Sequence, residues 1–338
     1  MSFFRTKSFA MDLGNNNTLL TDKENILLSQ ASCIVFDKQN NSVKAVGNEA
    51  YSIFEKSHQD LKTIKPLRWG VISDYESANA MIQKMVSSVF SKSSRLAGFD
   101  TIISGVPFST TEVERRALRN TLDQFRSRRS HLLFEPLAAA IGMGLNIREP
   151  DGKMIIDIGG GLTEIVVISL SGIAVFQSTK IAGDTFSEEI QDYFRRNYAM
   201  AIGLKTAERV KIEVGSVIEK LDDSPQPMLV RGKDIQLGIP VSRKIDHSEV
   251  ARILDSSIVS IEESIVQTLE VCPPELAADI YSNGIYVTGG GALLRGLKIR
   301  LENKIGLPVY VDEHPLISVS KGISTTLSEP GKFKSILI

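Results

Sequence analysis

Two kinds of apolar pattern alternate along the chain. Short runs at residues 8–13, 102–106, 154–158, 164–168 and 286–288 have strand length, and most run into a glycine or a proline. Between them, residues 184–198 and 206–221 carry helical spacing, and Ile253, Leu254, Ile258, Ile261 and Ile265 form the stripe of a helix that faces a core. Ser109 with Glu112 predicts a capping box opening a charged helix that runs to about Phe125. Pro136 predicts the first turn of a second helix through Gly142, where a missing N–H costs little. Residues 228–244 read as strand pieces broken by Gly232, Gly238 and Pro240. Alternating strands and helices place the chain in the α/β class.

One pattern occurs twice. Asp12-Leu13-Gly14 ends a strand, the polar turn Asn15-Asn16-Asn17-Thr18 follows, and Leu19-Leu20 opens the next strand. Asp157-Ile158-Gly159-Gly160-Gly161, then Leu162-Thr163 and the strand at 164–168, repeat it and point to a duplicated unit. A third turn, Thr288-Gly289-Gly290-Gly291-Ala292-Leu293-Leu294, leaves a strand for a helix. Backbone N–H groups of such turns approach phosphate oxygens closely, and a carboxylate at the strand end holds Mg²⁺ through water. Two turns led by Asp12 and Asp157 on opposite lobes would clamp a triphosphate, while residues 289–292 allow close approach of a base or sugar. No Gly-Lys-Ser/Thr follows either turn, and the dinucleotide fingerprint is absent, which sets aside those two nucleotide folds.

Composition narrows the class. A length of 338 residues suggests about two domains. With 39 Lys+Arg against 40 Asp+Glu, the net charge of −1 excludes a charge-expanded disordered chain and argues against a dedicated nucleic-acid binder. Cys33 and Cys272 are far apart, and His58, His131, His247 and His314 lack ligand spacing, so neither a disulfide framework nor a metal cluster is expected. The first ten residues show no signal peptide, and charges and glycines interrupt the most apolar window, 154–176. A cytoplasmic protein without a span is expected. Breaks fall near residues 146–152 and 222–227.

These residues resemble the actin, hexokinase and heat-shock ATPase superfamily, and within it the MreB bacterial actins. Ala10-Met11-Asp12-Leu13-Gly14-Asn15-Asn16-Asn17-Thr18 and Asp157-Ile158-Gly159-Gly160-Gly161-Leu162-Thr163-Glu164 are similar to the family's two phosphate loops. Thr111-Glu112-Val113-Glu114-Arg115-Arg116-Ala117 and Glu135-Pro136-Leu137-Ala138-Ala139-Ala140-Ile141-Gly142 resemble the segment bearing the hydrolytic glutamate. Ile181-Ala182-Gly183-Asp184, Thr206-Ala207-Glu208, Lys211-Ile212-Glu213-Val214-Gly215 and residues 287–297 match as well, so the resemblance covers nearly the whole chain.

The resemblance implies an actin-like ATPase fold: two lobes, each with a ribonuclease-H-like mixed sheet and a smaller subdomain. Residues 1–30, 67–148 and 312–338 would form subdomain IA and 31–66 subdomain IB; 149–181 and 245–311 would form IIA and 182–244 IIB. It further implies ATP with Mg²⁺. Asp12 and Asp157 would organise the metal through water, and Gly14, Asn15, Asn16, Asn17, Gly159, Gly160, Gly161, Leu162 and Thr163 would surround phosphates. Glu208 and Lys211 would face ribose or adenine, Gly289, Gly290, Gly291 and Ala292 would close the nucleoside side, and Glu135 would position the attacking water. The chain would polymerise with itself, as paired protofilaments, at the inner membrane surface, and guide cell-wall elongation proteins and cell shape.

Departures from the family pattern bear on turnover. Leu162 replaces a threonine, Phe134 replaces the first of two glutamates, and Arg209 stands where an acidic residue is common. Slow hydrolysis with retained binding follows, since backbone N–H groups supply most phosphate contacts. Phe3, Phe4 and Phe9 around Arg5 and Lys7 admit two readings, an amphipathic membrane anchor or a first strand with a tail. The resemblance implies that a loop roughly at residues 90–99, with apolar Phe90, Leu96 and Phe99, corresponds to the family's other membrane-insertion element. The arginines at 115, 116, 119, 126, 128 and 129 read as a solvated face offset by Glu112, Glu114 and Asp123. Competing functions on this fold are a filament for plasmid or organelle positioning, a small-molecule kinase, and a chaperone-like ATPase.

Overall fold

The strand expected at residues 8–13 forms as Lys7–Leu13 and becomes the centre of a five-stranded sheet. Across that sheet the order is Ser127–Phe134, Phe99–Val106, Lys7–Leu13, Asn17–Thr21, Ile26–Ala31. The first three strands run parallel and the last two return as antiparallel hairpins. Parallel neighbours need a crossover, which the helix Glu112–Asp123 supplies between Phe99–Val106 and Ser127–Phe134. The computed structural model describes residues 7–56 and 59–338. It divides into one unit of residues 1–151, 168–173 and 316–338 and a second of 152–167 and 174–315.

The capping box sits two residues later than expected. Thr111 accepts from the Glu114 N–H, and the Glu114 carboxylate accepts from the Thr111 N–H at 2.7 Å. Thr110 donates its N–H and its hydroxyl to the Pro107 carbonyl, so the chain is still turning at Ser109. Glu112, inside the helix, pairs with Arg115 at 2.7 Å instead.

Phe9 is a core residue at 0% exposure, with ring centroids 5.2 Å from Phe90, 4.9 Å from Phe99 and 6.1 Å from Phe125. The anchor reading therefore fails for Phe9, which belongs to the first strand. Phe3, Phe4 and Arg5 lie outside the described residues. Phe90 and Phe99 are buried at 4% and 1%, which removes them from the expected insertion element and leaves Leu96, 63% exposed. Elsewhere in this unit the helices Glu135–Gly142 and Ser318–Ser328 come close enough that a Cβ on Gly142 or Gly322 would overlap the carbonyl of Ser318 or Ala138. A smaller sheet, in the order Val43–Val46, Ile34–Asp37, Leu61–Ile64, carries the helix Gly47–Ile53.

The second unit is built on the order Gly172–Thr179, Thr163–Ser169, Lys153–Ile158, Ile285–Thr288, Val309–Val311, with the last three strands parallel. Leu254, Ile258, Ile261 and Ile265 of the helix His247–Glu270 are buried in one cluster with Met154, Ile156 and Val167, as their spacing predicted. The helix expected over 206–221 forms only as Leu204–Val214. Gly215 closes it, and Ser216 and Val217 pair with Arg295 instead of continuing the helix. Gly232 does not break a strand either. It pairs with Val241 inside the hairpin of Met228–Asp234 and Pro240–Ile245, whose turn falls at Gly238 with φ +74°. Among the described residues, no helix is long and apolar enough to cross a membrane.

The Gly322 contact gives a stability test. In an open helix Gly→Ala gains about 1 kcal/mol, but at Gly322 the new methyl meets the Ala138 backbone. Gly322→Ala is expected to lower the urea midpoint by an amount worth about 2 kcal/mol or more, and Gly331→Ala, which meets nothing within 4 Å, to leave it unchanged.

Candidate functional site

In the first unit the ends of three parallel strands bring Asp12, Gly105 and Glu135 to one edge, the place where α/β sheets commonly bind ligands. Glu135 opens the helix Glu135–Gly142. Gly105, on the neighbouring strand, makes room for it: a Cβ there would lie 3.3 Å from Glu135 Cγ. Phe134, in the position of an expected glutamate, packs edge-on against Phe108 at 4.8 Å.

The turn after Asp12 is held by its own backbone and by two segments remote in sequence. Gly14 donates its N–H to the Asn17 carbonyl at 3.0 Å, and a Cβ on Gly14 would lie 2.8 Å from that oxygen. Ser32 donates its hydroxyl to the Gly14 carbonyl at 2.6 Å and its N–H to the Asn16 carbonyl at 2.9 Å. The side-chain oxygen of Asn15 accepts from the Gly70 N–H at 2.8 Å, and that of Asn16 accepts from Lys65 Nζ at 2.9 Å. Both oxygens are thus engaged by residues 65–70, while Asn17 is exposed.

In the second unit Asp157 and Thr288 are in register on adjacent parallel strands. Gly289, at φ +80°, lies so close that a Cβ would overlap the Asp157 carboxylate and the Ile158 carbonyl, and a Cβ on Gly291 would overlap the Ile158 side chain. The short 3₁₀ turn Gly290–Leu293 follows. Gly159 donates its N–H to the Leu162 carbonyl at 2.9 Å, while the carbonyls of Gly159 and Gly160 accept from the N–H groups of Gly183 and Asp184. The second glycine turn is therefore fastened to the start of the helix Gly183–Tyr198. Thr163 is buried and donates its hydroxyl to the Ile181 carbonyl at 2.7 Å.

Glu208 and Lys211 join the same cluster through each other. Lys211 Nζ donates to Glu208 at 2.6 Å, to the Gly183 carbonyl at 2.6 Å and to Ser187 at 3.1 Å, matching its three donors. Ser187 donates to Glu208 at 2.6 Å. The structure so gathers Asp157, residues 159–163, Glu208, Lys211 and residues 289–292 in one unit, and Asp12, residues 14–17 and Glu135 in the other. Sequence reasoning missed Ser32, Lys65, Gly70 and Ser187, which lie outside the motifs they brace; the three polar residues carry no periodic signal, and Gly70 is a single glycine outside any glycine-rich turn.

The donor set fits a magnesium nucleotide better than a resident metal. Among the described residues, no group of three or more His, Cys, Asp or Glu side chains converges as a metal cage. A dication held here would take phosphate and water oxygens with one or two carboxylates, which is the habit of Mg²⁺. The glycine turn lies against Asp157 so closely that no side chain fits between them.

The MreB/Mbl protein family matches residues 6–335. The chain belongs to this family. It is 38% identical over 322 residues to the cell shape-determining protein MreB of Escherichia coli K12, covering 94% of this chain and 92% of that one. It is 36% identical over 327 residues to the cell shape-determining protein Mbl of Bacillus subtilis 168, covering 96% and 97%. The structure of MreB5 of Spiroplasma citri bound to AMPPNP superposes with a TM-score of 0.92 at 33% identity, over 98% of both chains. The same protein bound to ADP gives 0.91 at 34%. The MamK double helical filament, at TM-score 0.76 and 20% identity, shares the fold, which is actin-like.

Within this MreB/Mbl chain, burial pushes the Asp157 carboxyl up to about 6 from its ordinary 3.8. A raised folded-state value favours folding fully below the unfolded value, and that advantage disappears as pH rises through the folded one. The cost at neutral pH is up to about 3 kcal/mol. Without nucleotide, Asp157→Asn is therefore expected to unfold at higher denaturant than its parent at about pH 7.5, and the gap to close toward about pH 4. Equal midpoints at both pH values would contradict a desolvated carboxylate.

Proposed function

We propose that the chain binds Mg-ATP, polymerises with itself into filaments and helps determine cell shape by guiding cell-wall synthesis. The observation that carries this reading is the juxtaposition of residues 289–291 with Asp157: a glycine turn at a strand end lies against a carboxylate whose charge burial disfavours, with no space for a side chain between them. Support comes from family membership and from the nucleotide complexes of the similar S. citri protein.

In this reading Asp12 and Asp157 hold Mg²⁺ through water, and the turns at 14–17 and 159–163 offer backbone N–H groups to phosphates. Residues 289–292 meet the nucleoside. Glu208 and Lys211 shape the nucleoside side as an ion pair, since the lysine's donors are already engaged. Glu135 orients the attacking water, and the charge stabilisation that phosphoryl transfer needs comes from the metal and the turns. The chain is organised as subdomains IA, IB, IIA and IIB, with residues 31–66 and 182–244 as the smaller, inserted pieces.

Calorimetry of the purified chain is expected to show Mg-ATP binding, and pelleting with electron microscopy to show ATP-dependent filaments. Folded protein giving no heat with adenine nucleotides would overturn the nucleotide reading; binding without filaments would overturn the polymer. Phosphate release is expected to be slow and to rise after Leu162→Thr, and an unchanged rate would clear Leu162 of responsibility.

The filament is proposed to lie at the inner face of the cell membrane. On the helix Lys92–Ala97, exposed Leu96 stands beside Lys92 and Arg95, an apolar tip with basic flanks suited to an anionic bilayer. In flotation with anionic vesicles, Leu96→Asp is expected to reduce recovery with the lipid, and zwitterionic vesicles to recover less of the parent. Undiminished flotation after deleting residues 2–7 would assign the contact to Leu96 alone; loss of it would assign the tail a share.

A further inference from the structure

Lys65 is a basic residue that none of the phosphate motifs includes, yet it touches the first of them. Its Nζ lies 2.9 Å from Asn16 Oδ1 and stands over the rings of Tyr51 and Phe54, at 5.7 and 5.3 Å from their centroids. Those rings stack on each other at 5.9 Å with an interplanar angle of 12°, so the ammonium rests on a two-ring platform. The platform is tied to the same frame as the turn. Asn48, in the helix beneath the rings, accepts from the Ala31 N–H and donates its own N–H to Gln30, and the adjoining Ser32 holds Gly14 and Asn16. Among the described residues, no carboxylate forms an ion pair with Lys65.

The chemistry of an ammonium decides which way the Asn16 amide faces. An ammonium has donors only, so the edge of the amide turned toward Lys65 must be Oδ1, and the NH₂ edge is turned away from it. Gly70 imposes the same choice on Asn15, because a backbone N–H also only donates. Two amides on one turn are therefore oriented with their acceptor edges inward to residues 65–70. A turn prepared in this way favours an anion over a cation, and Lys65 adds a positive charge beside it.

We propose that Lys65 is a positioning residue for the nucleotide: it fixes the Asn16 amide so that its NH₂ edge serves the phosphates, and it biases the turn toward polyanions. This rests on the nucleotide-binding reading above and adds to it a residue, a direction of action and a charge.

The test is calorimetric affinity for Mg-ATP in the full chain, with thermal unfolding of each variant as the folding control. Lys65→Met is expected to weaken binding by about tenfold, the scale of one charge-assisted hydrogen bond. Lys65→Arg, which also only donates and also stacks on rings, is expected to restore affinity to within about threefold of the parent. Asn16→Asp separates positioning from simple bracing. It keeps or strengthens the contact to Lys65, so the fold is retained, but it replaces the NH₂ edge with a second oxygen and a negative charge; a loss larger than that of Lys65→Met is expected. In an Asn16→Ala background the effect of Lys65→Met is expected to shrink, as it must if Lys65 acts through Asn16. Parent-like affinity in both Lys65→Met and Asn16→Asp, or fully additive losses with Asn16→Ala, overturns the proposal. A folded parent that binds no adenine nucleotide brings down the underlying reading and this one with it.

Discussion

Backbone meeting backbone with no Cβ between them is the constraint on which the rest depends. Gly142 and Gly322 let two helices of the first unit touch through their carbonyls, and Gly289 and Gly291 let one strand's turn lie on the end of its neighbour beside Asp157. The first contact joins two helices and the second joins a turn to a strand end, and both use the smallest residue where distance is scarce; Gly289 also needs the positive φ that glycine adopts readily. Partial burial disfavours the Asp157 charge, and in the proposed reading a cation bound beside it would offset that cost.

The two five-stranded sheets repeat one order, a hairpin extended at one side of a central strand and parallel strands on the other. Parallel strands align their C-terminal ends, so Asp12 and Glu135 reach one edge without any contact between their own side chains being required, and Asp157 and Thr288 reach another. Position comes from topology, while fine orientation comes from hydrogen bonds contributed by remote segments such as Ser32, Gly70 and Ser187.

Much of this was legible in the order of residues. The strands ending in Asp12 and Asp157, the apolar stripe from Leu254 to Ile265 as a buried face, and Pro136 at a helix start all follow from local pattern. What misled was competition between local signals and tertiary partners. Ser109 and Glu112 have the right spacing for a cap, but Pro107 keeps the chain turning and Thr111 takes the role. Helical periodicity continues past Val214, yet Ser216 and Val217 find Arg295. Phe9, Phe90 and Phe99 look like membrane-seeking aromatics in a linear reading and prove to be one aromatic cluster, because the strands carrying Phe9 and Phe99 are neighbours. The grip of Lys65 on Asn16 had no local signal at all.

The two departures near the expected chemistry have different physical standing. Phe134 has a packing partner in Phe108, so its apolar ring does something for the fold that a glutamate would not. Leu162 contributes its carbonyl to the turn through Gly159, and any residue supplies a carbonyl. The shape of the second turn is thus independent of the side chain at 162, whereas a hydroxyl there would be available only from threonine or serine. In the proposed reading, phosphate binding would follow from the turn's backbone and turnover from the side chain at 162, so a change at this one position would alter the second without reshaping the first.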